Sequence, residues 1–250
     1  MMEKASYNKE AIIELINLKK SFGNNHVLND LNLTVKQGEN VVFIGKSGSG
    51  KSVLIKCIIG LIKPDSGIIS VFGNDVSKLS HDDLDQMRAK VGFLFQSNAL
   101  YDSMTIRENL EFPLRRHWLK DTKDTINDLV LDALTNVGLA DTIDMKPSEL
   151  SGGMKKRVAL ARTLILKPEI ILYDEPTSGL DPVTGKEISN LIVEIQKKYN
   201  TSSIIISHDL SCAKITSNKI VILIDGTCYA TGTFEELNNM SDTKVKQFFD

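Results

Sequence analysis

Cysteine is scarce in this chain, three residues in 250. Cys57, Cys212 and Cys228 lie far apart and lack the paired spacing of a zinc site or a disulfide framework, so a metal-stapled or disulfide-stapled fold is not expected and a reducing compartment is. Net charge is also close to absent: 30 Lys and Arg against 32 Asp and Glu leave −2. That balance offers no global attraction to a phosphate polymer, so nucleic acid is not an expected partner, although local basic clusters remain. Long apolar runs are missing too. The runs at 41–44, 204–206 and 220–224 are far shorter than the roughly 20 residues a membrane helix needs. Any membrane role is therefore expected to come through a partner. The opening stretch Met1-Met2-Glu3-Lys4-Ala5-Ser6-Tyr7-Asn8 is polar and has no small-residue cleavage site, so export is not expected. There is no internal repeat or low-complexity tract, and residues 120–125 read as a solvated connection or helix face.

What is present is enough apolar material, 42% of 250 residues, to bury a full α/β core as one domain with an insertion or as two small lobes. Residues 11–18 and 27–35 mix alternating apolar and polar positions around the turn-prone Phe22-Gly23-Asn24-Asn25, which predicts antiparallel strands. Val41-Val42-Phe43-Ile44 is continuously apolar, as in a strand covered on both faces. Helical spacing follows over 52–62, ended by Lys63-Pro64-Asp65-Ser66-Gly67. After a strand at 91–95, residues 96–166 lose β character and read as an inserted helical lobe, with helices at 126–137 and 151–166. Strands return at 170–173, 203–206 and 220–224, with a helix at 182–198. The core is thus expected to be discontinuous in sequence.

Between the buried strand and the first helix stands Gly45-Lys46-Ser47-Gly48-Ser49-Gly50-Lys51-Ser52. Its glycines let backbone amides turn inward around phosphate oxygens, Lys51 brings a cation to the terminal phosphates, and Ser52 offers a hydroxyl to Mg²⁺. The helix that follows adds its positive dipole end. At the far end of 170–173, Asp174 and Glu175 stand where open α/β sheets bind ligands. Asp174 is suited to hold Mg²⁺ through a water, and Glu175 to orient the water that attacks a γ-phosphate. In Leu150-Ser151-Gly152-Gly153-Met154, Ser151 caps a helix whose glycines admit a polyphosphate without side-chain obstruction. If the two glycine motifs lie too far apart in one subunit to share a phosphate tail, two copies must close around ATP.

With these motifs in this order, the chain resembles, from about Leu15 to its end, the nucleotide-binding subunit of ATP-binding cassette (ABC) transporters. The resemblance implies a P-loop NTPase core with an antiparallel β subdomain and an inserted helical lobe. It implies one ABC ATPase domain over 11–250, with the lobe at about 96–166. It also implies a head-to-tail homodimer with two ATP molecules, each held by the cradle of one subunit and by Ser151, Gly152 and Gly153 of the other. Gln96 matches the residue that ligates Mg²⁺ or senses the γ-phosphate. Asp181, in Ser178-Gly179-Leu180-Asp181, matches the loop that crosses the dimer interface, and standing before Pro182 it is also a good helix cap. His208 matches the histidine that contacts the γ-phosphate. Phe22 lies where the family stacks an aromatic on adenine, although a buried core phenylalanine reads equally well.

Phe95-Gln96-Ser97-Asn98-Ala99-Leu100-Tyr101, the run from Pro147 to Arg157 with Met154 in place of the usual glutamine, and Val245-Lys246-Gln247-Phe248-Phe249-Asp250 resemble the Mla-type lipid-trafficking ATPases. That likeness implies a membrane permease and an MCE-domain lipid-binding partner, phospholipid moved between bacterial membranes, and a seat on the cytoplasmic face of the inner membrane; because the sequence stops soon after the last of these segments, a longer regulatory tail is not expected. A helix of the permease is expected near 96–107, with Ala99, Leu100 and Tyr101 either lining its socket or packing the lobe. Soluble ABC ATPases of DNA repair or translation are disfavoured, because neither a long coiled-coil insertion nor a second cassette is visible; one for cofactor assembly, or a cassette for another substrate, stays open. Intact Glu175 and His208 argue against a nucleotide-dependent scaffold with little turnover.

Overall fold

A computed structural model describes residues 11–116 and 123–249. The polar opening stretch, residues 120–122 of the connection expected at 120–125, and Asp250 lie outside the described residues.

The chain opens with β1 (Ala11–Phe22) and β2 (Asn25–Lys36), then β3 (Asn40–Ile44) and α1 (Lys51–Ile58). β4 (Ser66–Val71) and the two-residue β5 (Asn74–Asp75) lead to α2 (His81–Ala89) and β6 (Val91–Leu94). Three helices follow, α3 (Ile106–Arg116), α4 (Lys123–Thr135) and α5 (Gly152–Leu164), with no strand between them among the described residues. Then come β7 (Ile170–Asp174), α6 (Pro182–Tyr199), β8 (Ser202–Ile206), α7 (Leu210–Thr216), β9 (Lys219–Ile224) and β10 (Thr227–Gly232). Two short helices, α8 (Phe234–Asn238) and α9 (Thr243–Lys246), come last.

Two sheets result. One is antiparallel in the order β2-β1-β4-β5. The other, β10-β9-β3-β8-β7-β6, is parallel except for β10 at its edge. The continuously apolar strands explain the layering. Alternate side chains point to opposite faces, so Val41 and Phe43 of β3 enter the core shared with α1 and the antiparallel sheet, while Val42 and Ile44 enter the core shared with α5 and α6. β7 divides in the same way, Ile170 and Leu172 to the first core, Ile171 and Tyr173 to the second. Each such buried aliphatic side chain contributes about 1.5–3 kcal/mol, which fixes the parallel sheet between two hydrophobic layers.

Several elements differ from the sequence expectation. α1 stops at Ile58, short of the predicted 62, because the chain turns back there: the Leu61 and Ile62 amides both return to the Lys56 carbonyl, and Arg88 of α2 takes the carbonyls of Ile59 and Gly60. β4, β5, α2, α7, β10, α8 and α9 had no predicted counterpart. All are nine residues or fewer, too short for periodicity to separate them from turns. Within 96–166 the described residues are helical or irregular, as expected.

Candidate functional site

The cradle spans the turn from β3 into α1. Gly50 caps the helix at φ +98°, and a Cβ there would sit 2.6 Å from the Val27 carbonyl oxygen, so only glycine fits. No side chain caps α1, and the positive end of its dipole faces the loop. Lys51 is 8% exposed, and its ammonium donates to the carbonyls of Gly45 at 2.6 Å and Lys46 at 2.9 Å. An ammonium has three donors, so one remains for a ligand oxygen. Burial lowers the pKa of Lys51, and the nearby charges of Glu175 and Asp174 work against that shift. The Ser49 hydroxyl is buried in the loop without a partner.

Across the cleft, β7 delivers Asp174 and Glu175. The Ser52 hydroxyl donates to Asp174 Oδ1 at 3.4 Å. Burial is the main force raising the Asp174 carboxyl above the usual carboxylate range, with the charge of Glu175 adding to it and Ser52 and two lysines opposing. Glu175 has φ +52°, unusual for a residue with a side chain, and its amide donates to the Ile206 carbonyl at 3.0 Å. The carboxylate meets His208 Nδ1 at 2.7 Å and the His208 amide at 3.4 Å. Gln96 follows β6 and donates from Nε2 to the Ser178 hydroxyl at 3.4 Å.

These groups share one cleft of about 820 Å³, in which the cradle, Phe22, Gln96, Asp174, Glu175 and His208 meet. Phe22 is 50% exposed with the Lys20 ammonium 5.3 Å from its ring centroid, so the reading of it as a core residue is not what the fold shows. Ser52, Asp174 and the side chain of Gln96 offer the oxygen donors that Mg²⁺ takes alongside water and phosphate oxygens. The fit needs no larger acidic cage, and among the described residues there is no cluster of three or more His, Cys, Asp or Glu that could hold a metal.

Ser151, Gly152, Gly153 and Asp181 do not line that cleft. Ser151 caps α5, its hydroxyl accepting from the Met154 amide at 3.3 Å, and Ser151 and Gly152 are exposed. Gly153 has a further reason for being glycine besides the one its motif suggests. A Cβ there would lie 2.6 Å from Thr184 Cγ2, and that side chain is pinned by its own 2.6 Å bond to Asp181. Close packing of α5 on α6 therefore requires it. Asp181 caps α6 through the Val183 and Thr184 amides, and its bonds to Thr184 lead in holding its carboxyl below the usual range.

Besides the strand and helix residues Val27, Ile44, Val53 and Ile206, the cleft gathers residues not singled out for it from sequence. Gln247 and Phe248, just past α9, line it. Lys156 is 2% exposed and donates to the Gln96 carbonyl at 3.0 Å. Helical spacing carried the signal, since Lys156 shares the buried face of α5 with Ala159, Leu160 and Leu164, but the basic run Lys155-Lys156-Arg157 reads as a solvated face. The three cysteines are unpaired, and burial pushes Cys57 and Cys228 up to about 11.

A phosphate-cradling loop leading out of a central parallel strand, opposed by a carboxylate pair two strands further along, beyond β8, defines an ATPase of the P-loop class. The sequence profile of the ABC transporter family matches residues 28–178, and the chain belongs to that family. It is 40% identical over 236 residues to the "Probable ribonucleotide transport ATP-binding protein mkl" of Mycobacterium tuberculosis, covering 94% of this chain and 66% of that protein. It is 38% identical to the "Intermembrane phospholipid transport system ATP-binding protein MlaF" of Haemophilus influenzae, covering 95% of this chain and 89% of that one. It is 36% identical to the "Methionine import ATP-binding protein MetN" of Legionella pneumophila, over 94% of this chain and 69% of that one. Among solved structures, the dimeric post-hydrolysis ATP-binding cassette MJ0796, bound to ADP and Pi, is similar at a TM-score of 0.81 and 32% identity, covering 89% of this chain and 98% of that chain.

Proposed function

We propose that this chain is the ATP-hydrolysing subunit of a membrane transporter that moves phospholipid between bacterial membranes. It works as a homodimer on the cytoplasmic face of the inner membrane, seated on an integral permease, with an MCE-domain lipid-binding protein as a further partner. One observation carries the mechanism: the cradle and the carboxylates share a cleft from which Ser151 is absent. A second copy arranged head to tail supplies Ser151, Gly152 and Gly153 to close it, and Asp181 lies at the same interface. The similar cassette MJ0796, whose structure is dimeric, supports the pairing of two copies. Among the described residues no helix is long and apolar enough to cross a membrane, which fits attachment through a permease.

Within the closed cleft, the amides from Gly45 to Ser52 and the Lys51 ammonium bind the triphosphate, and Phe22 stacks on the adenine. Mg²⁺, held by Ser52 and Asp174 with Gln96 beside them, would supply charge neutralisation at the β- and γ-phosphate oxygens. Glu175 orients the attacking water and takes up its proton, while His208 holds the Glu175 carboxylate in place and reaches toward the γ-phosphate. We place one ABC ATPase domain over 11–250, in which residues 96–166 turn as a lobe when the dimer closes. A groove of about 400 Å³ beside that lobe, lined by Leu61, Phe93, Phe95, Phe112 and Pro113, is the proposed seat of a permease helix. Tyr101 packs against Phe112 with ring centroids 4.9 Å apart and the rings tilted by 51°, whereas Leu100 packs against the second core.

Phospholipid is the favoured cargo because MlaF matches along nearly its whole length and Met154 replaces the usual signature glutamine. Likeness to MetN favours a second reading, an importer of methionine. Purification of the chain from native membranes, with identification of the co-eluting subunits and bound lipid, separates the two. A permease, an MCE-domain protein and phospholipid are expected; a permease that binds methionine, or no membrane partner, would contradict the proposal.

A further inference from the structure

Helix α5 carries two cations that reach back to the loop after β6. Lys156 donates from Nζ to the Gln96 carbonyl at 3.0 Å. Under two turns further along, Arg162 donates to the Asn98 carbonyl at 2.9 Å and the Ala99 carbonyl at 2.7 Å. Three main-chain oxygens within four residues are thus held by one helix. The loop needs holding: Asn98 and Ala99 are successive side-chain-bearing residues in the left-handed region, at φ +64° and +52°. The Asn98 side-chain oxygen is buried without a partner. Such a conformation persists only where its surroundings over-determine it.

Lys156 is an expensive way to make one hydrogen bond. A buried ammonium facing a single carbonyl loses most of its hydration, and an apolar side chain of similar shape would cost less. Burial pushes its pKa down, and the carboxylates of Asp174 and Glu175 work the other way. The cation is therefore linked at once to the Gln96 main chain and to the field of the carboxylate pair. The same helix starts at Ser151, the residue that has to meet the nucleotide of the other copy.

We propose that Lys156 and Arg162 clasp residues 96–99 to α5, so that Gln96 and Ser151 shift as one body when nucleotide enters the cleft, with Lys156 acting as a positioning residue for hydrolysis. The inference rests on the reading of the cleft as a nucleotide site. Without the clasp, Gln96 follows its ligand while α5 stays behind, and the second copy is not engaged.

The test is hydrogen exchange on the full chain with Glu175→Gln, expected to hold Mg-ATP with turnover strongly slowed, read at 96–101 and at 151–155 with and without Mg-ATP. Both segments are expected to gain protection together. In Lys156→Met, Mg-ATP affinity should stay within about twofold and the loop should still respond, while the protection gained at 151–155 drops about tenfold or more. With Glu175 intact, Lys156→Met should lower kcat about tenfold with little change in KM. Lys156→Arg should restore both readouts, and the melting temperature of Lys156→Met should not fall, as loss of a merely structural bond would require. If Lys156→Met does not fold, Arg162→Lys, which can serve only one of its two carbonyls at a time, should show the same uncoupling. Joint protection that survives in Lys156→Met, or in Arg162→Lys in its stead, overturns the clasp alone. Failure of the parent chain to bind Mg-ATP overturns the nucleotide reading and the clasp with it.

Discussion

At Glu175 one backbone angle aims a carboxylate. Its φ of +52° costs about 1–3 kcal/mol, and the bond to the Ile206 carbonyl and the 2.7 Å contact with His208 hold it there. Glu175→Gln keeps the shape and removes the proposed base, so ATP should still bind while turnover in a steady-state ATPase assay falls roughly 10²-fold or more; unchanged turnover would rule out the role given to Glu175. Asp174 carries a different signature. Burial raises its pKa, so the folded chain holds that proton more tightly than the unfolded chain does. The stability so gained is present below the unfolded value and is lost as pH rises through the folded one. Above the folded value the ionised Asp174 is a burden, and there Asp174→Asn should raise the melting temperature of the nucleotide-free protein while abolishing Mg²⁺-dependent turnover. A lower melting temperature would contradict this.

Among the elements, those that depend on their own residues alone were readable in advance. Val41-Val42-Phe43-Ile44 is apolar at every position because both its faces are covered, and the cradle sits where that strand hands over to α1. What sequence could not show is set by remote partners. Arg88 helps end α1 early, Gln247 and Phe248 reach the cleft from the far end of the described chain, and Lys156 is hidden between Lys155 and Arg157, its two basic neighbours in sequence. Gly153 shows the difference most sharply, since its motif suggests phosphate access and its neighbour Thr184 imposes packing. Gly153→Ala should destabilise the chain by about 1–3 kcal/mol in denaturant unfolding. Thr184→Ser in the same chain, which removes the offending methyl and keeps the hydroxyl for Asp181, should restore most of that loss. A Gly153→Ala chain as stable as the wild type would mean that packing does not explain the glycine.

On the proposed reading, the molecule as a whole has two half-sites that do not meet. The cradle, Gln96, Asp174, Glu175 and His208 face one cleft, and the Ser151 end of α5 is exposed elsewhere. Two copies in head-to-tail array satisfy both, and every step proposed from ATP binding to permease movement depends on that closure. The direct measurement mixes two Glu175→Gln chains, one also carrying Ser47→Cys and the other Ser151→Cys, and follows disulfide crosslinking with and without Mg-ATP. The account predicts a crosslink between the two chains that forms only with Mg-ATP. Absence of any such product from chains that demonstrably bind Mg-ATP would contradict it.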